Sequence, residues 1–324
     1  MRILILGGTV FLSAEIARQA VERGHEVTCL ARGTSAHPPE GAAFVRADRA
    51  PGGAAYDGLD GDWDEVLEVS WRPEQVGAAL EALADRAGHW TYVSSCSVYA
   101  DDARAGADES AALLPALGRD QHVEDNYGEA KVACEILSSA AIGPRLHISR
   151  PGLIGGPGDP SDRFGYWPAR FGRDNDPVLV PDVPEAQVQV IDVRDLSGWI
   201  LDAAEKRITG TFNAVGESVR FTSVLGAAID ATGYAGHVYI ADPAWLAESG
   251  VAHWAGEDSL PLWLPEGMAG FVTRRADKAV RRGLNRRPFD ESLQDTLADE
   301  RERGLHRERR AGLSAGREKE LVQA

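Results

Sequence analysis

The sequence predicts an α/β fold of the Rossmann type, a doubly wound parallel sheet joined to a smaller, discontinuous C-terminal region. Three observations carry this expectation. Short β-branched or apolar runs alternate with helical patterns through the first half of the chain, as βαβ units do. A glycine-rich turn stands directly between the first apolar run and the first helical stretch. After about Gly152 the alternation weakens, and glycine, proline and aromatic residues take over.

In chain order, strands are expected at Ile3 to Leu6, Glu26 to Ala31, Ala43 to Arg46, Glu65 to Val69, His89 to Ser94 and His147 to Ser149. Between them, Ala14 to Glu22, Pro73 to Arg86 and Gly128 to Ala140 repeat apolar residues three and four apart, which places one apolar stripe of each helix on the sheet. Gly155 to Pro160 is punctuated by Gly and Pro, and Phe164, Tyr166, Trp167 and Phe171 cluster behind it. A strand at Val188 to Val193 and a helix at Leu196 to Glu205 are expected to return to the sheet. The division that follows is 1–153 with about 186–215 as one domain, about 154–185 with 216–304 as the second region, and 305–324 as a helical or frayed tail.

The 324 residues are 44% hydrophobic, enough for a substantial core. No apolar stretch approaches the roughly 20 residues a bilayer requires, so no membrane partner is expected. Three widely spaced cysteines without a CxxC pair support neither a disulfide framework nor a metal site, and fit a reducing cytoplasm. Fifty acidic against 34 basic residues give a net charge of −16, which repels a polyphosphate and argues against nucleic acid. The basic run from Arg301 to Arg310 is interleaved with Glu300, Glu302 and Glu308 and reads as a solvated helix face.

The turn is Gly7-Gly8-Thr9-Val10-Phe11-Leu12-Ser13, in the strand-to-helix setting where backbone amides can face a pyrophosphate. The usual fingerprint has Gly where Val10 and Ser13 stand, which compromises close approach at the first and close helix packing at the second. A tight turn that binds nothing is the alternative. At the end of the second strand Arg32 replaces the acidic residue that would meet an adenosine 2′-hydroxyl; Arg suits a 2′-phosphate, so NADP is preferred and NAD is the alternative. Asp48, just past the third strand, is placed to meet adenine, with a plain loop carboxylate as the alternative. The dinucleotide is thus expected on Gly7, Thr9, Val10, Phe11, Leu12, Arg32 and Asp48.

Tyr127 and Lys131 lie four apart on a helix and share a face, so the ammonium is expected to lower a phenol value that is about 10 when unperturbed. Ser95, at the end of the fifth strand in Ser94-Ser95-Cys96-Ser97-Val98-Tyr99, would hold a substrate oxygen in line with that phenol while hydride passes to or from carbon.

These motifs, with Arg150-Pro151-Gly152, Gly156-Pro157-Gly158, Val190-Ile191-Asp192-Val193-Arg194-Asp195-Leu196 and Thr211-Phe212-Asn213 in the same order, resemble the extended short-chain dehydrogenase/reductases, the NAD-dependent epimerase/dehydratase family, over nearly the whole chain. The resemblance implies Ser95, Tyr127 and Lys131 as the catalytic group, Val69, Lys131 and Pro151 as further cofactor-binding residues with Lys131 on the nicotinamide ribose, and a homodimer through Pro73 to Arg86 and Gly128 to Ala140. Sugar 4,6-dehydratases of the family carry Asp and Glu where this chain has Cys96 and Ser97, which argues against that chemistry. Nucleotide-sugar epimerases carry an Asn and an Arg where Leu153 and Gln187 or Val188 stand. Arg163, Arg170 and Arg173 remain as substitutes, and epimerisation stays as the second reading. The first is reversible reduction of a small carbonyl compound, with Ser95, Cys96, Ser97, Gly152, Tyr166 and Trp167 toward the substrate and Phe164, Trp254 or Trp263 lining an apolar pocket; each of these aromatics reads equally well as core, and Cys96 as a small buried residue. A cofactor sensor without turnover is the third.

Overall fold

The structure, a computed structural model, describes residues 1–50, 52–118 and 120–323. The first half runs β1 (Arg2–Leu6), α1 (Phe11–Glu22), β2 (Glu26–Ala31), β3 (Ala43–Arg46), β4 (Trp63–Glu68), α2 (Pro73–Leu83), β5 (Ala87–Val93), α3 (Tyr127–Ile142) and β6 (Leu146–Pro151). The second half continues with β7 (Leu153–Gly155), α4 (Tyr166–Arg173), β8 (Val178–Pro181), β9 (Gln187–Asp192), α5 (Val193–Glu205), β10 (Gly210–Ala214), β11 (Ser218–Arg220), α6 (Phe221–Thr232) and β12 (Val238–Ala241).

Seven strands form one parallel sheet in the order β3-β2-β1-β4-β5-β6-β10. The apolar run of β1 explains its central place. Side chains alternate across a strand, so Ile3 and Ile5 meet Ile16 and Ala20 of α1 and Leu196 and Trp199 of α5, while Leu4 and Leu6 meet Val76 and Leu80 of α2 on the opposite face. The chain winds one way from β1 to β3 and the other way from β4 onward. The carboxyl ends of β1 and β4 therefore splay into the crevice where ligands of such sheets bind.

Beyond β6 the chain builds a second core. There β7 pairs in parallel with β9, β11 runs antiparallel to β9, and β12 pairs with β8. Here the sequence expectation requires correction. The strand at 187–192 does not return to the seven-stranded sheet; β10 takes the seventh place, because Phe212 stacks on His147 at 5.1 Å and meets Trp199 edge-on at 5.5 Å. Only the helix that follows β9 returns, packing beside α1.

The expected tail is also structure. Ala311–Gly312 pairs with Gly256–Glu257, and helix Ala315–Gln323 docks on the second core. Its Glu318, 1% exposed, accepts from Arg170 Nε at 2.5 Å, Arg173 Nη2 at 3.4 Å and the Leu179 amide at 3.0 Å. The basic run ahead of it is not a solvated face: Arg307 and Arg309 close on the buried carboxylates of Asp162 and Glu300, with Arg309 Nη1 2.7 Å from Glu300 Oε2. Among the described residues no helix is long and apolar enough to cross a membrane, and no group of three or more His, Cys, Asp and Glu could hold a metal ion.

Candidate active site

After β1 the backbone turns through Gly7 and Gly8 at φ +134° and +85°. A Cβ on Gly8 would lie 2.3 Å from Cys29 Sγ, so glycine is required there by both conformation and space. The start of α1 has Val10 as an extended N-cap without a side-chain hydrogen bond, which leaves first-turn amides free for an anion. Ser13 is only 7% exposed, its hydroxyl donates to the Val10 carbonyl at 3.0 Å, and it leaves a Cβ placed on Gly7 3.4 Å from its oxygen. Serine thus fits where close packing was expected to fail.

The crevice has two lobes that meet at Val10. One, about 510 Å³, is lined by Gly7, Thr9, Val10, Arg32 and Asp48, together with Thr34, Ser35, Arg49 and Trp71. The other, about 470 Å³, is lined by Val10, Phe11, Leu12, Val69, Ser95, Ser97, Tyr127, Lys131, Pro151 and Gly152. Every residue expected at the cofactor lines one lobe or the other. Sequence reasoning missed Arg49, whose Nη1 lies 3.0 Å from Oε1 of the fully buried Glu68 and whose Nε donates to the Tyr56 hydroxyl at 3.0 Å. No local motif announces a pair whose partners come from different loops and strands.

Ser95 closes the fifth strand. Its Oγ accepts from the Ser97 amide at 3.1 Å and donates to Ser97 Oγ at 3.1 Å, which fixes the serine turn. The first turn of α3 packs directly on that turn, since a Cβ on Gly128 would fall 2.4 Å from the Ser97 carbonyl oxygen. Tyr127 is 41% exposed, with its ring 5.5 Å from that of Trp71. Crowding in the cleft pushes its phenol above the ordinary value despite that exposure, opposed by the Ser95 hydroxyl and the Arg163 charge. Lys131 is 3% exposed, and its Nζ donates to the carbonyls of Val93 at 2.7 Å, Ser70 at 3.2 Å and Val69 at 3.3 Å. Burial lowers it to about 8. The expectation that Lys131 lowers the Tyr127 phenol is therefore corrected: the ammonium is turned down onto the ends of β4 and β5, and the groups that lower the phenol are Ser95 and Arg163.

On the substrate side, Ser95, Ser97 and Gly152 face the cleft, and Cys96, Tyr166 and Trp167 do not. Cys96 is 1% exposed, donates to the Arg150 carbonyl at 3.3 Å and has its thiol pushed up to about 12 by burial. Tyr166 and Trp167 are buried in the second core with Phe164, and Trp167 Nε1 donates to the Pro261 carbonyl at 2.7 Å. The amphipathic face of α4 points inward, so its aromatics pack edge to face and do not line the cleft. Arg170 and Arg173 are held by Glu318 and Asp174. Of the cleft-facing groups named in the sequence, Arg163 and Trp254 remain, joined by Asp159, Ser161 and Phe271.

No protein-family model matches the chain. The chloroplast stem-loop binding protein of 41 kDa b from Arabidopsis thaliana is 27% identical over 254 residues, which are 72% of this chain and 64%, less than two thirds, of that protein. Among solved structures, a candidate epimerase from Burkholderia cenocepacia superposes with a TM-score of 0.71 at 21% identity, covering 93% of this chain and 98% of that one. UDP-glucose 4-epimerase from Thermotoga maritima, solved with UDP-glucose, gives 0.68 at 16%, covering 94% and 99%. UDP-glucuronic acid 4-epimerase from Bacillus cereus, solved with NAD, gives 0.67 at 15%, covering 95% and 100%. At such identities the structural likeness is one of fold. In fold the chain is similar to these epimerases: a seven-stranded parallel sheet flanked by helices, of the Rossmann-like α/β kind.

Proposed function

We propose that this chain is an NAD(P)-dependent oxidoreductase that interconverts a ketone and a secondary alcohol on a small molecule. The observation that carries the reading is the convergence of Ser95, Tyr127 and Lys131 on a lobe that meets the glycine-turn lobe at Val10. The two lobes fit a dinucleotide by their own features: free amides at the start of α1, a glycine turn that tolerates no Cβ at Gly8, and Arg32 at the rim. In this reading Gly7, Thr9, Val10, Phe11 and Leu12 hold the pyrophosphate, Arg32 a 2′-phosphate, Asp48 the adenine end, and Val69 and Pro151 flank the nicotinamide. Lys131 serves its ribose.

A nicotinamide dinucleotide, when bound, supplies or accepts the hydride at the substrate carbon. Ser95 orients the substrate oxygen, and Tyr127 moves the proton to or from it. A phenol raised above its ordinary value is held protonated at neutral pH, so Tyr127 is better set as an acid than as a base. Residence in the cytoplasm, and pairing of two chains through α2 and α3 where Ile136 and Leu137 are 56% and 38% exposed, belong to the same proposal.

The reading is tested by titrating the protein with NADPH and NADH, following nicotinamide fluorescence and the thermal midpoint. Tighter binding of NADPH, with the preference lost in Arg32→Ala, is expected; binding of neither overturns the reading. Two observations favour other readings. The fold neighbours include UDP-sugar epimerases, and conversion of a UDP-sugar without net change in the cofactor would replace oxidoreduction by epimerisation. The Arabidopsis relative is named for stem-loop binding, so an RNA hairpin titration belongs beside the cofactor titration, although a net charge of −16 works against such a partner.

A further inference from the structure

The geometry points to Arg163 as the residue that sets the substrate class, selecting molecules that carry a carboxylate or phosphate beside the reacting carbon. This deepens the oxidoreductase reading and rests on it. Arg163 lines the same lobe as Ser95 and Tyr127, and its charge is felt at the Tyr127 phenol. Its guanidinium lies 5.0 Å over the Trp254 ring, a ring braced edge-on by Phe271 at 5.6 Å. Nε donates to Ser161 Oγ at 3.2 Å, and that hydroxyl donates in turn to the buried Asp159 carboxylate at 2.9 Å. Among the described residues the carboxylate whose charge reaches Arg163 is Asp159, beyond ion-pair distance and linked to it through Ser161, and neither Nη atom of Arg163 has a hydrogen-bond partner or counts among the buried polar atoms left without one. The chain holds 50 acidic residues against 34 basic ones, so an arginine left unpaired at the proposed catalytic lobe stands out.

The surrounding backbone is arranged to hold this placement. Asp162 and Trp254 both occupy the left-handed region, at φ +60° and +69°, which is costly for residues with a Cβ and persists only where contacts enforce it. For Asp162 the enforcing contacts come from the C-terminal segment: its carboxylate accepts from the Arg310 amide at 2.8 Å and from Arg307 Nη2. The residue just before Arg163 is thereby clamped, and the ring beneath its guanidinium is set by a second strained position. A fork fixed at Nε, stacked on a ring and open at both Nη atoms matches the paired oxygens of a carboxylate or phosphate. A compound bound there would place its carbonyl toward Ser95 and Tyr127 with its anionic group on Arg163.

The test titrates wild-type protein and Arg163→Gln with malonate, inorganic phosphate and neutral malonamide, with and without saturating cofactor, by calorimetry and tryptophan fluorescence. Malonate or phosphate is expected to bind wild type about 10- to 100-fold more tightly than Arg163→Gln, the range of one or two charge-assisted hydrogen bonds, with malonamide binding neither. The stronger of the two anions distinguishes a carboxylate from a phosphate substrate. Arg163→Lys, which keeps the charge and loses the fork, is expected between the two, and its unchanged thermal midpoint separates recognition from folding. Equal anion affinity in all three proteins, or no saturable binding, overturns the assignment of Arg163. Because the anion titration is read without cofactor as well, that outcome is distinct from failure of NADPH and NADH to bind, which overturns the oxidoreductase reading. In turnover, 2-oxobutanoate is expected to be reduced better than butanone, and Arg163→Gln to raise KM for the acid alone.

Discussion

Tyr127 and Lys131 lie one helical turn apart, yet different surroundings govern their protons. The Lys131 ammonium, satisfied by three carbonyl oxygens, is lowered by burial from 10.5 to about 8, so the charge is present below that pH and lost above it. If the ammonium serves the ribose, cofactor affinity falls as pH rises through about 8. Titrating NADPH between pH 6 and 10 checks this: Lys131→Met is expected to bind weakly throughout with no step near pH 8, and a step of undiminished size in that variant would remove Lys131 from the role. Tyr127→Phe removes one oxygen from a cleft that keeps its shape. It is expected to leave cofactor affinity unchanged and to lower turnover by about 10²- to 10⁴-fold, the usual contribution of a positioned acid or base. Loss of cofactor binding in step with turnover would mean a structural role for the phenol.

At the scale of elements, the site depends on how closely α3 sits on the serine turn. Gly128 permits that contact, because any Cβ there meets the Ser97 backbone oxygen at 2.4 Å and must push the start of the helix away. Gly128→Ala is therefore expected to cost about 10²-fold in turnover through a displaced Tyr127, with cofactor binding retained; kcat close to wild type would show that the helix start has slack. The strand-and-helix frame that carries these parts was legible in the sequence, since β1 to β5 and α1 to α3 follow apolar periods of two and of three to four, readable locally. Pairing across long separations was not. The apolar run at 187–192 reads as a sheet strand in either setting, and only the competition of Phe212 for His147 and Trp199 places β10 at the sheet edge. The aromatic cluster of α4 stayed open between pocket wall and core for a related reason: Tyr166 and Trp167 have the same composition in either setting, and which side of the helix meets the second core is decided by elements more than fifty residues away.

Across the whole molecule, the final twenty residues connect the second core to the cleft. Helix Ala315–Gln323 supplies Glu318 to Arg170, and the segment before it clamps Asp162 beneath Arg163. Their alternating charges look like a solvated face in sequence, because the buried Asp162 and Glu300 that neutralise them cannot be paired by spacing alone. Removing one member of a buried ion pair strands the other without solvent, so Glu318→Ala is expected to lower stability by about 3–5 kcal/mol, measured by urea unfolding of the full chain. Its effect on the site is expected to be indirect and selective. If the tail acts as a clamp, sub-denaturing urea should weaken malonate binding to Glu318→Ala before it weakens NADPH binding, because the nucleotide lobe is built from β1, β2 and β4 and makes no use of the tail. Simultaneous loss of both ligands would instead show that the two cores unfold as one unit and that the tail contributes to global stability without aiming Arg163.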